Sequence, residues 1–314
     1  MKNWFLFIAL ITSIVVNAQK LTEEELELNY ENVNLYGTLL SSPTNDSIVV
    51  LIIPGSGPTD RDGNSQLLKG KNNSLKYLAE DLFSAGISSL RIDKRGVGES
   101  ADAMVKEEDL RFETYIKDVI NWVKLLKQEK QFKTIIIAGH SEGSLIGMIA
   151  AQQVKVSAYI SIAGTGVTAD EIIKTQVESQ PDLIKNEVNR VFEKLKVGDT
   201  VGDVNPMLFS LFRPSVQPYM ISWIKYNPTI EIGKLTIPIL IIQGTTDIQV
   251  SVKDANLLHN ANAKSKMVLI ENMNHVLKES AIDQTENIAT YTNPELKNVP
   301  QLAKEIVQFI NAIN

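Results

Sequence analysis

Five short runs rich in β-branched and other apolar residues constrain the fold of this chain more than any other feature. They occupy residues 47–53, 87–92, 134–138, 158–162 and 237–242. Such runs are typical of strands buried on both faces of a parallel sheet. Segments of helical length with apolar residues at 3.6-residue spacing separate them, for example residues 75–85 and 114–128. The alternation predicts an α/β fold, doubly wound around a mostly parallel sheet.

Two segments depart from this alternation. Residues 25–30 and 33–40 alternate polar and apolar side chains, which predicts two half-buried antiparallel strands before the parallel part. Residues 165–235 are helical in character and open with a capping-box pattern, Thr168 and Glu171. We expect a helical cap in residues 165–235, inserted after the sixth strand, with residues 19–164 and 236–314 forming the core.

The first 18 residues read as a targeting segment. Lys2 precedes an apolar stretch over residues 4–16, and Val16-Asn17-Ala18 is a small-residue cleavage pattern. The stretch is shorter than the roughly 20 residues of a membrane-spanning helix. We expect a cleavable signal peptide, a secreted or periplasmic protein and no stable membrane anchor. An uncleaved anchor and a buried first helix are the alternatives.

Composition excludes several classes of function. The net charge is −6 and no basic run is present, so nucleic acid is not expected as a partner. The chain has no cysteine, which rules out disulfides, thiolate catalysis and cysteine–zinc sites. Oligomeric state leaves no signature in the sequence.

The pentapeptide Gly139-His140-Ser141-Glu142-Gly143 matches the pattern G-x-S-x-G. It follows the predicted strand at residues 134–138 and precedes a helix-like segment at 145–153. This strand–turn–helix setting is that of a nucleophile elbow, in which the turn exposes the serine hydroxyl above the sheet. Ser141 is therefore the candidate nucleophile, and a turn that merely contains serine is the alternative.

A serine hydroxyl needs a base, and the chain has three histidines. His140 adjoins Ser141 too closely along the chain to reach its hydroxyl, and His259 lies in a helix-like segment. His275 follows a strand-like segment at 267–271. In such a sheet, ligands bind at the carboxyl ends of the strands. Asp247 follows the strand at 237–242 and could orient the imidazole. Ser141, Asp247 and His275 thus form the predicted catalytic triad, although Asp247 could also be a simple turn residue.

An acyl-transfer site also needs donors for the oxyanion. The backbone N–H of Glu142 is the first candidate, because it follows the nucleophile. The second should come from the loop at residues 54–64, where we expect the N–H of Ser56 or, failing that, of Gly57. A carboxylate beside the nucleophile would disfavour an oxyanion, so Glu142 is expected to pair with Arg61, Lys94 or Arg95. The clusters at residues 60–62 and 93–95 read otherwise as loop-holding ion pairs.

Aromatic residues are dense in the second half of the predicted cap. Phe209, Phe212 and Trp223, together with two tyrosines, fall within 18 residues. Core packing explains such density equally well as a pocket for the acyl or alcohol group. We predict Phe209, Phe212 and Trp223 as candidate substrate-binding residues.

Taken together, the segments GHSEG, GSGPTDRDGN, RIDKRGVGES, QGTTD and MNH resemble those of bacterial α/β-hydrolase esterases. The resemblance covers nearly all of the chain after residue 18. It implies a carboxylic-ester hydrolase in a branch near the prolyl-oligopeptidase-like and acyl-peptidase-like enzymes, acting on a small-molecule ester. Residues 54–56 read Pro-Gly-Ser where many relatives carry His-Gly.

The leading functional hypothesis is ester hydrolysis through an acyl-serine intermediate, which requires no metal and no organic cofactor. A serine peptidase or acylaminopeptidase could use the same triad, with Glu171, Glu178 or Glu187 holding a free amino terminus. A non-catalytic binding protein on the same fold is the alternative from another class.

Overall fold

The computed structural model describes residues 22–43, 47–104, 106–128, 130 and 132–313. The predicted signal peptide, residues 1–18, lies outside this part of the chain. Within it, eight strands form one sheet: β1 (Glu23–Tyr30), β2 (Val33–Leu40), β3 (Ile48–Ile53), β4 (Ser88–Ile92), β5 (Thr134–His140), β6 (Ala158–Ile162), β7 (Ile239–Gly244) and β8 (Lys266–Ile270).

The sheet has the order β1-β2-β4-β3-β5-β6-β7-β8. β2 pairs antiparallel with both β1 and β4, and the pairs from β4 to β8 are parallel. Every residue of β3, β4, β6 and β7 is buried, as expected for strands covered on both faces. The prediction of a mostly parallel, doubly wound sheet is confirmed.

The α-helices of the described residues cover both faces of the sheet. They are α1 (Ser74–Ser84), α2 (Phe112–Gln128), α3 (Glu142–Gln153), α4 (Ala169–Gln176), α5 (Asp182–Lys196), α6 (Phe209–Phe212), α7 (Gln217–Trp223), α8 (Pro228–Gly233), α9 (Val252–Ala261), α10 (Gln284–Ala289) and α11 (Pro300–Ile313).

The two faces of the sheet pack against different helices. α1 and α11 bury their apolar stripes in one cluster with alternate residues of the central strands. α2, α3 and α9 bury theirs on the other face. This two-sided covering explains why β3 is apolar throughout. None of the helices in the described residues is long and apolar enough to cross a membrane.

Helices α4 to α8 lie between β6 and β7, so the helical insertion follows the sixth strand as predicted. We call residues 165–235 the cap. The capping box of Thr168 and Glu171 begins α4. One face of α5 is buried, through Ile184, Val188, Val191, Phe192 and Leu195. The apolar residues at 3.6-residue spacing are therefore the ones that α5 buries in the core.

Candidate active site

Ser141 lies in the sharp turn between β5 and α3, which we call the elbow (residues 139–143). Its backbone has φ 54° and ψ −120°, a conformation that side chains rarely adopt. A Cβ on Gly139 would stand 2.1 Å from the Gly143 oxygen, and one on Gly143 would stand 2.5 Å from the Ile53 oxygen. The turn therefore closes only with glycine at both positions. It leaves Ser141 partly exposed between buried neighbours.

His275 and Asp247 meet at the same edge of the sheet. Asp247 follows β7 and His275 follows β8, and Nδ1 of His275 lies 2.8 Å from Oδ2 of Asp247. Both side chains are buried. With Nδ1 engaged by the carboxylate, Nε2 is the ring nitrogen left to exchange a proton with a nucleophile.

Asp247 is held by several donors besides His275. Its Oδ1 accepts hydrogen bonds from the backbone N–H groups of Gln249 (2.8 Å) and Val250 (3.0 Å). Oδ2 also accepts one from Nε2 of Gln243 at 3.0 Å. Burial acts to raise the pKa of Asp247, but the charge and hydrogen bond of His275 and the two backbone donors hold it below its ordinary value. The carboxylate therefore stays ionised.

The loops that carry the acid and the base share a buried asparagine bridge. Asn287, on α10, donates through Nδ2 to the carbonyl of Thr246 at 2.8 Å. Its Oδ1 accepts from Nδ2 of Asn274 at 3.3 Å, and Asn274 also donates to Oγ1 of Thr290 at 2.7 Å. Thr246 and Asn274 immediately precede Asp247 and His275. Sequence reasoning missed this bridge, because asparagines in a loop-rich stretch give no pattern that separates a buried strut from a surface turn.

The three histidines occupy different settings. Nε2 of His140 lies 2.8 Å from the backbone oxygen of His275, and the two rings have centroids 4.9 Å apart. This contact places the His275 loop directly beside the elbow. His259 lies on α9 with Nδ1 2.9 Å from Oγ of Ser265. Of the three, His275 is the one paired with a carboxylate.

The loop at residues 54–64 runs past the nucleophile. A Cβ on Gly55 would stand 3.2 Å from Cβ of Ser141, so the backbone of Gly55 passes close to it. Ser56 and Gly57 are exposed, and Gly57 has φ 66°. These two residues and the N–H of Glu142 remain the predicted oxyanion donors. The close approach of the neighbouring Gly55 backbone to Ser141 is consistent with that prediction.

Glu142 pairs with Lys94, one of the three cations considered from the sequence. Nζ of Lys94 lies 2.8 Å from Oε2 of Glu142, and both groups are buried. Oη of Tyr219 donates to Oε1 of Glu142 at 2.6 Å. Burial, and then the charge of Glu142, raises the pKa of Tyr219 well above its ordinary value, so the phenol keeps its proton. Both carboxylate oxygens of Glu142 are thus occupied.

The other two cations serve the loops. Arg61 contacts Asp93, with Nη2 2.7 Å from Oδ2, and also reaches Glu25 on β1. Arg95 contacts Asp118 of α2, with Nη2 2.8 Å from Oδ1. The pairs of Arg61 with Asp93 and of Arg95 with Asp118 are buried and fix the loops at the sheet edge, which leaves Lys94 as the partner of Glu142.

The predicted substrate-binding aromatics are not brought together. Phe209 is 50% exposed, whereas Phe212 is fully buried and meets the ring of Phe192 edge-on at 5.0 Å. Trp223 stacks on Phe112 of α2 at 5.9 Å. Packing accounts for Phe212 and Trp223, and Phe209 is the one of the three with a ring free to meet a ligand.

The chain is similar in sequence to one family of known proteins and to one curated esterase. Residues 70–221 match the family model described as serine aminopeptidase, S33. The chain is 28% identical over 238 residues to esterase EstD of Thermotoga maritima, an alignment that covers 73% of this chain and 54% of the relative. The chain thus spans about half the length of this curated relative.

Two solved structures have the same fold. Est1E of Butyrivibrio proteoclasticus, with ferulic acid bound, covers 91% of this chain and 99% of its own at TM-score 0.58 and 18% identity. The esterase Pf2001 of Pyrococcus furiosus covers 94% of each chain at TM-score 0.57 and 16% identity.

Proposed function

We propose that this chain, which has the α/β-hydrolase fold, is a serine hydrolase that cleaves carboxylic esters of small molecules. The observation that carries the proposal is the 2.8 Å pair of His275 and Asp247 beside the strained Ser141 elbow. A carboxylate, a base and a partly exposed serine at one sheet edge, in the chain order Ser, Asp, His, are the parts that acyl transfer needs.

In the proposed reaction, Oγ of Ser141 attacks the ester carbonyl carbon and its proton passes to Nε2 of His275. The tetrahedral oxyanion is held by the N–H groups of Glu142 and Ser56. As the C–O bond breaks, His275 protonates the departing alcohol and Ser141 carries the acyl group. Water then attacks the acyl carbon and gives a proton to His275. The bond between the acyl carbon and Oγ of Ser141 breaks, His275 returns the proton to Oγ, and the carboxylic acid leaves. Asp247, kept ionised, stabilises the imidazolium in both halves.

The contacts that two cap glutamates make within the cap favour ester substrates over peptides. Glu171 receives the backbone N–H of Thr168 at 3.3 Å in its capping box. Glu187 contacts Arg190, with Nε 2.8 Å from Oε2. Both carboxylates are engaged within the cap, which argues against either holding a free amino terminus. Two features still support the peptidase alternative. Glu178 is left as a carboxylate to hold a free amino terminus, and the matching family model is described as a serine aminopeptidase. Turnover of p-nitrophenyl esters set beside aminoacyl p-nitroanilides would discriminate between the two.

Covalent labelling tests the proposal directly. A fluorophosphonate probe should label the wild-type protein at one residue, and Ser141→Ala should abolish both labelling and ester turnover. Ser84→Ala, at an exposed serine on α1, is the matched control and should label as the wild type does. Undiminished labelling or turnover in Ser141→Ala would reject Ser141 as the nucleophile. A folded wild type that neither labels nor turns over esters would favour a non-catalytic binding protein.

We also propose that the protein is exported and loses residues 1–18. The support is the sequence pattern of Lys2, the short apolar stretch and Val16-Asn17-Ala18. Intact-mass measurement of protein from the periplasm or medium should give a mature chain beginning at Gln19. A mass that retains residues 1–18 would contradict the proposal.

A further inference from the structure

Lys94 is a buried cation in the turn that follows β4. Its Nζ donates to the carbonyl oxygen of Gly55 at 2.6 Å and to Oε2 of Glu142 at 2.8 Å. It also lies 5.1 Å from the ring centroid of Tyr115. A single ammonium group therefore joins the loop at residues 54–64 to the first residue of α3.

The bond to Gly55 fixes the orientation of one particular peptide group. In a trans peptide the C=O and the following N–H point in opposite directions. Because Lys94 holds the oxygen of Gly55, the N–H of Ser56 points away from Lys94. The same backbone passes close to Cβ of Ser141. Rotation of this peptide would cost the lysine its hydrogen bond.

The second hydrogen bond of Lys94, to Glu142, holds the residue that follows the nucleophile. Glu142 supplies the backbone N–H that follows the nucleophile, and its carboxylate is held by Lys94 on one oxygen and by Tyr219 on the other. Tyr219 belongs to α7 of the cap. The ion pair with Lys94 thereby balances the negative charge of Glu142 beside the developing oxyanion. The side chain of Glu142 also connects the elbow to the cap through Tyr219.

We propose that Lys94 is a positioning residue that aligns both oxyanion donors, the backbone N–H groups of Ser56 and Glu142. The inference rests on the proposed function, since it assigns a role in the same acyl transfer. Lys94 does not touch the reacting atoms. It acts by holding the two peptide groups where the oxyanion forms, so its loss should slow the chemical step more than it weakens substrate binding.

The test removes the ammonium without leaving a buried unpaired carboxylate. In Lys94→Met/Glu142→Gln, the amide oxygen of the introduced glutamine can still accept from Tyr219, while Gly55 loses its donor. We expect kcat for a p-nitrophenyl ester to fall about 10- to 100-fold, with KM within about twofold of wild type. The rate of phosphonylation of Ser141 should fall by a similar factor, since that reaction also builds charge on an oxygen facing the two donors.

A matched control removes the neighbouring buried ion pair, Arg95 with Asp118, as Arg95→Gln/Asp118→Asn. We expect this variant to lose thermal stability but to keep kcat within about threefold. If the Lys94 double variant keeps wild-type kcat and labelling rate, or loses no more than the Arg95 control, the positioning role is wrong. A wild type that fails to label and to turn over esters overturns the proposed function, and this inference with it.

Discussion

His140 is a buried imidazole that the proposed reaction does not use, and its setting has a consequence for stability. Burial, and then the nearby His275, lowers the pKa of His140 from its ordinary value near 6.5 to about 4. The folded protein therefore keeps His140 neutral at a pH where the unfolded chain takes up a proton. Unfolding is then coupled to proton uptake between these two values.

From this coupling we expect the free energy of unfolding to fall as the pH drops from 6.5 towards 4. The part due to His140 is fully present above pH 6.5 and amounts to about 3 kcal/mol at most. His140→Gln, whose amide can still donate to the His275 carbonyl, should remove this part of the pH dependence. Thermal unfolding midpoints of both proteins at about pH 7, 5.5 and 4.5 would measure it. Parallel curves would contradict the assignment.

Glu142 shows what the sequence could and could not predict at the residue scale. The need for a cation followed from the carboxylate's place beside Ser141. The choice among Arg61, Lys94 and Arg95 did not, because all three lie on loops that end at the same sheet edge. In the structure, residues distant in sequence decide the choice. Arg61 forms ion pairs with Asp93 and Glu25, and Arg95 forms one with Asp118. Such long-range competition leaves no local pattern.

At the scale of the element, the elbow depends on the absence of a side chain at Gly139. In Gly139→Ala the new Cβ would meet the backbone of Gly143 at 2.1 Å, and backbone cannot move aside cheaply. We expect destabilisation of about 3 kcal/mol or more, with loss of activity. Gly202→Ala is the control, because nothing lies within 4 Å of its Cβ and its φ is outside the left-handed region. It should stay within about 0.5 kcal/mol of wild type by denaturant unfolding. Equal stability of the two variants would contradict the steric argument.

The cap offers a matched pair of phenylalanines at the two ends of α6. Phe212 is fully buried against Phe192, whereas Phe209 is half exposed. We expect Phe212→Ala to cost about 3–4 kcal/mol through the cavity it leaves, and Phe209→Ala to cost less than about 0.5 kcal/mol. Denaturant unfolding checks both. A raised KM for long-chain esters in Phe209→Ala alone would assign its ring to the substrate pocket, and unchanged kinetics would remove it.

The elements themselves were predictable where one physical cause dominated. Each of the five runs overlaps a largely buried strand, and the 3.6-residue stripe of α5 faces inward residue for residue. The aromatic cluster was less informative, because a phenylalanine that packs and one that meets ligand look alike in sequence. Tyr219 illustrates this ambiguity: its phenol holds Glu142.

At the scale of the whole molecule, cap and core share one hydrophobic cluster. Phe112 of α2 stacks on Trp223 of α7, and its backbone N–H donates to Oγ of Ser222 at 2.8 Å. The same cluster continues from the sheet face through α2 into the interior of the cap. The cap therefore has no separate core of its own.

This continuity predicts that cap and core unfold together. Losing the cap would expose Phe112 and the face of α2 beneath it, so a state with only the cap unfolded is unfavourable. Far-ultraviolet circular dichroism and tryptophan fluorescence should give coincident denaturant transitions. Two separated midpoints, with Trp223→Phe abolishing the earlier fluorescence change, would show the cap to be an independent unit.

The backbone of Ser141 bears on how this protein would respond to redesign. A residue with φ 54° and ψ −120° is one at which glycine relieves strain that every other side chain must endure. A procedure that ranked amino acids by their fit to this backbone would choose glycine there and gain stability. It would also discard the one hydroxyl on which the proposed chemistry turns. Ser141, whose backbone is strained, is thus the residue that selection for thermostability alone would replace.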